Sequence, residues 1–159
     1  SLIKAQAIWE RIITELPVSL PDTAHAYYFS AVCSRKMAQY DKAITYYQHV
    51  VDNWPSYEYA YMAQYIIGDC FEGLRNSNSL SPSEANPKME AAYTAVLENY
   101  PDCSLAPHAC LKMAQLSLDR GQKPEAIQFF EMFLELANPN DPRIENIRTK
   151  IKKLKEAEE

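Results

Sequence analysis

Apolar residues recur along this chain at helical rather than strand spacing. Near the start, Ala5, Ile8, Trp9, Ile12, Ile13 and Leu16 fall at i, i+3, i+4, i+7, i+8 and i+11, one continuous stripe on a helix. Three later segments repeat the arrangement. Each places a small residue or Met (Ala5, Ala43, Met89, Ala126) four positions before an aromatic ring (Trp9, Tyr47, Tyr93, Phe130). A proline closes each segment (Pro17, Pro55, Pro101, Pro139), because proline offers no N–H and disfavours helical geometry in the residue before it. The segments start at Lys4, Lys42, Lys88 and Glu125, at intervals of 38, 46 and 37 residues, so the chain is an internal repeat.

A second helix is expected between successive segments. Residues 23–39 follow Asp22 as a candidate N-cap, 57–74 follow Ser56, and about 105–120 follow Asp102 and Ser104. Short turns at Gln39-Tyr40-Asp41 and Arg120-Gly121-Gln122 would join the two helices of a unit. Strand-length alternating runs and Asn-Gly hairpin turns are missing, so the fold is expected to be all-α. A hairpin of two helices cannot bury its apolar face alone, and stacking makes the core continuous. The expectation is one domain over residues 1–159, a right-handed helical-hairpin solenoid of about three and a half units with a C-terminal capping helix. Its parts are a half repeat (1–17), repeats over 22–55, 56–101 and 102–139, and the cap (142–159).

Two features depart from the repeat. The second unit is longer, and its Ser, Asn and Pro residues over 75–87 predict an inserted mobile loop, with Asn86 as the next N-cap and Pro87 as the first helical residue. In the last segment, Ile144, Ile147, Ile151 and Leu154 share one side, with Arg143, Arg148, Lys150, Lys152, Lys153 and Lys155 among glutamates, as a solvated end cap would have. Residues 1–16 read as the second helix of a unit whose first helix is absent. Because Ser1 is not Met, the chain is expected to be a piece of a longer protein, with Trp9 partly uncovered and able to meet another copy.

Composition narrows the chemistry. Three glycines leave no GxGxxG or P-loop, and no cofactor is expected. A net charge of −5 argues against a nucleic-acid partner, and no apolar run approaches the ~20 residues of a membrane span. Cys33, Cys70, Cys103 and Cys110 form no CxxC, and His25, His49 and His108 have neither zinc-site spacing nor a GxSxG nucleophile, so neither a metal site nor catalysis is expected. Cys33 and Cys70 read as small buried hydrophobes.

The repeat resembles the tetratricopeptide repeat, W-x2-L-G-x2-Y, then A-x3-F, then P, over about 34 residues. The run Tyr40-Asp-Lys-Ala-Ile-Thr-Tyr-Tyr is close to that pattern, and Ala31, Gly68 and Ala114 occupy its small position. Ser30, Ser34 and Ser117 stand where larger apolar residues are usual in the family. Asn53-Trp-Pro-Ser and Asn99-Tyr-Pro-Asp-Cys-Ser are similar to bacterial cell-envelope members, the Tol–Pal coordinator and the barrel-assembly lipoproteins. That similarity implies the periplasm, whereas four thiols without an evident disulfide framework lean towards a reducing cytoplasm.

The resemblance implies a concave groove lined by first helices. The positions concerned are His25, Tyr28, Val32 and Arg35, then Met62, Tyr65, Asp69 and Glu72, then His108, Leu111, Gln115 and Leu118. The Lys/Asn/Asn/Lys/Arg set with which some members clamp a terminal carboxylate is absent from them. The implied function is a non-catalytic scaffold that binds a peptide or helix of another protein in that groove. The alternatives are end-to-end self-assembly between the Trp9 helix and the C-terminal helix, and a regulatory repeat domain of a larger enzyme.

Overall fold

The protein is all-α in a computed structural model that describes residues 1–17 and 21–156. The helices are α1 (Leu2–Glu15), α2 (Pro21–Lys36), α3 (Tyr40–Asn53), α4 (Ala60–Asn76), α5 (Pro82–Asn99), α6 (Ala106–Asp119), α7 (Lys123–Leu136) and α8 (Ile144–Glu156). No strand occurs, and no helix is long and apolar enough to cross a membrane, among the described residues. Residues 157–159 of the expected cap lie outside the described residues.

The repeat is written in the backbone at both ends of its helices. Where a proline-terminated helix stops, Leu16, Trp54, Tyr100 and Ala137 each donate a last N–H, to the carbonyls of Ile12, Val50, Val96 and Phe133. After the last three of these, two consecutive turns carry the chain to the next helix. Tyr57 N bonds Trp54 O and Ala60 N bonds Tyr57 O; Cys103 and Ala106 do the same to Tyr100 and Cys103; Asp141 and Ile144 repeat it on Asn138 and Asp141. These turns displace the expected side-chain caps. Ser56 lies within its turn and α4 begins at Ala60, while α6 begins at Ala106 behind Leu105, not behind Asp102 or Ser104. Asp22 is a first-turn acid of α2, which begins at Pro21, rather than its cap.

The other helix of each hairpin ends in a Schellman arrangement. Ala38 (φ 57°), Asn78 (φ 57°) and Gly121 (φ 74°) take the left-handed position. The residue after each bonds back across the last turn, Gln39 N to Ser34 O, Ser79 N to Leu74 O and Gln122 N to Ser117 O. The turn at Arg120-Gly121-Gln122 is as expected, whereas the first lies at Met37-Ala38-Gln39 and Tyr40 already belongs to α3.

The expected loop over 75–87 is mostly helix. α4 runs through Gly73 to Asn76 and α5 starts at Pro82, leaving 77–81 as the connection. Ser81 begins α5 in place of Asn86: its N–H (3.1 Å) and Oγ (2.6 Å) both donate to a Glu84 carboxylate oxygen, the glutamate half of a capping box, while the Glu84 N–H bonds the Ser81 carbonyl. Pro87 therefore sits inside the helix rather than at its first position. It forfeits one bond close to the helix start, and the following turns are continuous. The additional residues of this unit lengthen two helices, to 17 and 18 residues against 14 in α3, α6 and α7.

The chain divides into two compact units, residues 1–92 and 93–159. In the first, α1 packs on α2, α2 on α3 and α3 on α4 around Tyr28, Ala31, Ala43, Tyr47, Val50, Ala63, Ile67 and Cys70. Polar bonds fasten α1: Gln6 Nε2 donates to Ser34 Oγ at 2.8 Å, and a Glu10 carboxylate oxygen takes the Tyr46 hydroxyl at 3.0 Å and Lys42 Nζ at 2.6 Å. Ser34, the small polar residue in an apolar family position, is thus the buried acceptor for Gln6, and its own hydroxyl donates to Ser30 O. In the second unit, α6 packs on α7 and α7 on α8 around Cys110, Ala114, Ala126, Phe130, Phe133, Ile147 and Ile151. Ile144 and Leu154 complete the apolar side of α8, as its spacing predicts. Cys33, Cys70 and Cys110 are buried free thiols, and burial pushes Cys70 up to about 12 and Cys110 up to about 11.

Candidate protein-interaction site

Helical spacing puts His25, Tyr28, Val32 and Arg35 at i, i+3, i+7 and i+10 on α2, and Met62, Tyr65, Asp69 and Glu72 on α4 in the same rhythm. The structure joins the two rows. Tyr28 Oη donates to Met62 Sδ at 2.9 Å, so the middle of α2 meets the first turn of α4. Val32, Met62, Tyr65, Asp69 and Glu72 are half-buried, and Arg35 is exposed.

Tyr28 departs from the expectation of a groove-lining side chain. It is 5% exposed, its ring packs edge-on against Tyr47 at 5.6 Å, and burial, with Tyr59 nearby, pushes its hydroxyl up to about 12. A tyrosine three residues after a half-buried His sits over the junction with α3, and the space there is filled by its own ring. It is a core residue.

His25 is held by groups outside the expected stripe. Its Nδ1 lies 2.7 Å from the Tyr57 hydroxyl, and its ring packs against Phe29, Tyr57 and Tyr59 at 5.1, 5.5 and 6.2 Å. Burial raises the Tyr57 hydroxyl, with Glu58 adding to the shift, so this phenol keeps its proton. Trp9 of α1 extends the cluster by stacking on Phe29 at 5.3 Å. The rings of Tyr57 and Tyr59 come from the double turn before α4, which a reading of residues 57–59 as helix conceals.

The charged groups of the stripe are not equivalent. Glu72 pairs with Arg75 at 3.6 Å, and Arg75 also donates to Asn86 Oδ1 at 2.8 Å. Asp69 also has its own interaction partner. The Arg35 guanidinium forms no ion pair among the described residues, although its charge reaches the Tyr28 and Tyr47 hydroxyls and the Cys70 thiol. Tyr47 is fully buried with the Arg35 side chain beside its hydroxyl, and burial raises its pKa.

In the second unit the corresponding row lies on α6. His108 is half-buried, Gln115 is exposed and donates to Asp119 Oδ1 at 2.8 Å, and Leu111 and Leu118 lean against the core beneath. No three His, Cys, Asp or Glu side chains among the described residues gather as a metal site requires.

No curated protein matches the chain. A family model described as tetratricopeptide repeat matches residues 25–57, the stretch that runs from His25 on α2 through α3 to its hydrogen-bond partner Tyr57. The α2–α3 hairpin is thus similar to a tetratricopeptide repeat, a module that in general mediates contacts between proteins.

Proposed function

We propose that the chain is a non-catalytic interaction scaffold whose α2 and α4 rows hold a peptide or helix of another protein. The observation that carries this reading is the side-by-side placement of partly exposed apolar and charged groups on two helices locked by the Tyr28–Met62 contact. Rigid helices presenting a mixed surface suit a segment that brings its own secondary structure or adopts it on docking. The row on α6 offers a second surface of the same kind, with Gln115 the exposed group and Leu111 and Leu118 partly available. The likeness of the proline-closed segments to bacterial cell-envelope members makes the periplasm the compartment to examine first.

The test is binding of peptides selected by display on the full chain. Val32→Asp should weaken them at least about tenfold, a change of ~1.4 kcal/mol, with far-UV helicity unchanged. Unaltered binding would move the site elsewhere.

A specific observation also favours self-association through α1. Leu2, Ile3 and Ile8 are 39, 71 and 61% exposed on this helix, while its other face packs on α2. On this second reading Ile3→Glu with Ile8→Glu would remove any concentration dependence of the mass in solution. A wild-type chain that stays monomeric at every concentration would contradict it.

A further inference from the structure

We propose that Met62 is an oxidation site: a peroxide converts its thioether to the sulfoxide, which takes away the acceptor of the buried Tyr28 hydroxyl and loosens the junction of α2 with α4. The inference does not depend on what the two rows hold.

The contact leaves the hydroxyl little choice. Tyr28 Oη donates to Met62 Sδ at 2.9 Å, a direct bond between α2 and α4. Thioether sulfur is a weak acceptor. Tyr28 keeps it because its ring is held among Phe29, Tyr47, Tyr57 and Tyr59, at 5.4, 5.6, 6.1 and 5.2 Å, and cannot swing the hydroxyl towards water. At 5% exposure the tyrosine gives solvent little access of its own.

Met62, by contrast, can be reached. It is half-buried at the edge of the core to which Tyr28 belongs, whereas Met89 and Met113 are 1 and 3% exposed. Its sulfur carries two lone pairs, and the Tyr28 proton occupies one. The other attacks an oxygen of the peroxide. The S–O bond forms, the O–O bond breaks, the sulfur gives up two electrons, and with hydrogen peroxide the second oxygen leaves as water. The sulfoxide sulfur is the positive end of the new S–O dipole and no longer accepts a proton. The added oxygen lies on the side away from Tyr28, so the hydroxyl stays buried without an acceptor, which costs stability.

The test treats the full chain with dilute hydrogen peroxide and follows each methionine by peptide mass mapping, alongside thermal melting. Met62 should gain an oxygen after the exposed Met132 and ahead of Met89 and Met113. As it does, the melting temperature should fall by about 4 °C or more, and methionine sulfoxide reductase with a thiol reductant should restore it. Met62→Leu should remove the fall. Tyr28→Phe, which has no hydroxyl to strand, should make it smaller. Met62 left as the thioether while Met89 and Met113 convert would overturn the inference. So would a fall of the same size in Met62→Leu or in Tyr28→Phe.

Discussion

Gly73 lies directly beneath the ring of Tyr40: a Cβ built on the glycine would fall 2.6 Å from Tyr40 Cζ and 2.8 and 2.9 Å from the two neighbouring ring carbons. The absence of a side chain at this position is what lets α4 run on past the first residues of α3. Replacing Gly by Ala in a helix ordinarily gains about 1 kcal/mol. Here the overpacking cost of about 1–3 kcal/mol should exceed it, because the half-buried ring must move. Gly73→Ala is expected to lower the urea midpoint. In a Tyr40→Ala background the same change should raise it. A stabilising Gly73→Ala in the wild-type chain would contradict this packing.

Ala38 bears the left-handed conformation that Gly121 bears in the second unit. A Cβ in that conformation costs about 1–2 kcal/mol, so Ala38→Gly should stabilise by roughly 1 kcal/mol once the greater freedom of glycine in the unfolded chain is offset. Asn78→Gly should gain less, since asparagine tolerates the conformation better. Denaturant unfolding of the two variants measures the difference.

The buried hydroxyls and thiols make stability fall at alkaline pH. Tyr28 and Tyr46 are pushed from 10.0 up to about 12, Tyr28 by burial and Tyr46 by burial with the Glu10 bond, and Cys70 is pushed by burial from 9.0 up to about 12. The unfolded chain therefore gives up these protons first. Stability is fully present below pH 9, where the unfolded thiols begin to titrate, and falls as pH rises through 10 towards 12. The melting temperature should decline over that range, with tyrosinate absorbance rising together with loss of helicity. A gradual, structure-independent rise near pH 10 would contradict the burial.

α1 depends on polar bonds more than its apolar stripe suggests. With Leu2, Ile3 and Ile8 exposed, Gln6 and Glu10 provide its specific attachments to Ser34, Tyr46 and Lys42. Gln6→Ala should cost about 1–2 kcal/mol by leaving the buried Ser34 hydroxyl without its donor. Amide hydrogen exchange should show α1 opening ahead of α3. Uniform protection across both helices would argue against a separately held α1.

The repeat was legible because its signature residues are core residues. The small and aromatic positions of the proline-closed helices, Ala43 with Tyr47, Met89 with Tyr93 and Ala126 with Phe130, are all buried. Ala5 and Trp9 are half-buried, since α1 is covered from the α2 side. Helix starts are less legible: Ser56 and Ser104 have the side chains of caps, whereas paired backbone turns perform that role and can be made by almost any residue. The Ser81–Glu84 pair that starts α5 is present in the sequence but hidden among serines, asparagines and prolines that read as a loop. Spacing gives helix faces but not depth. Whether Tyr28 lines a groove or fills a core depends on the gap above Tyr47, which no local pattern encodes.

The central claim is that the α2 and α4 rows form the working surface, and amide NMR of the full chain titrated with a display-selected peptide tests it most directly. The account predicts shifts centred on residues 25–35 and 62–72. Shifts confined to α1 or to residues 77–81, with those rows unmoved, would contradict it.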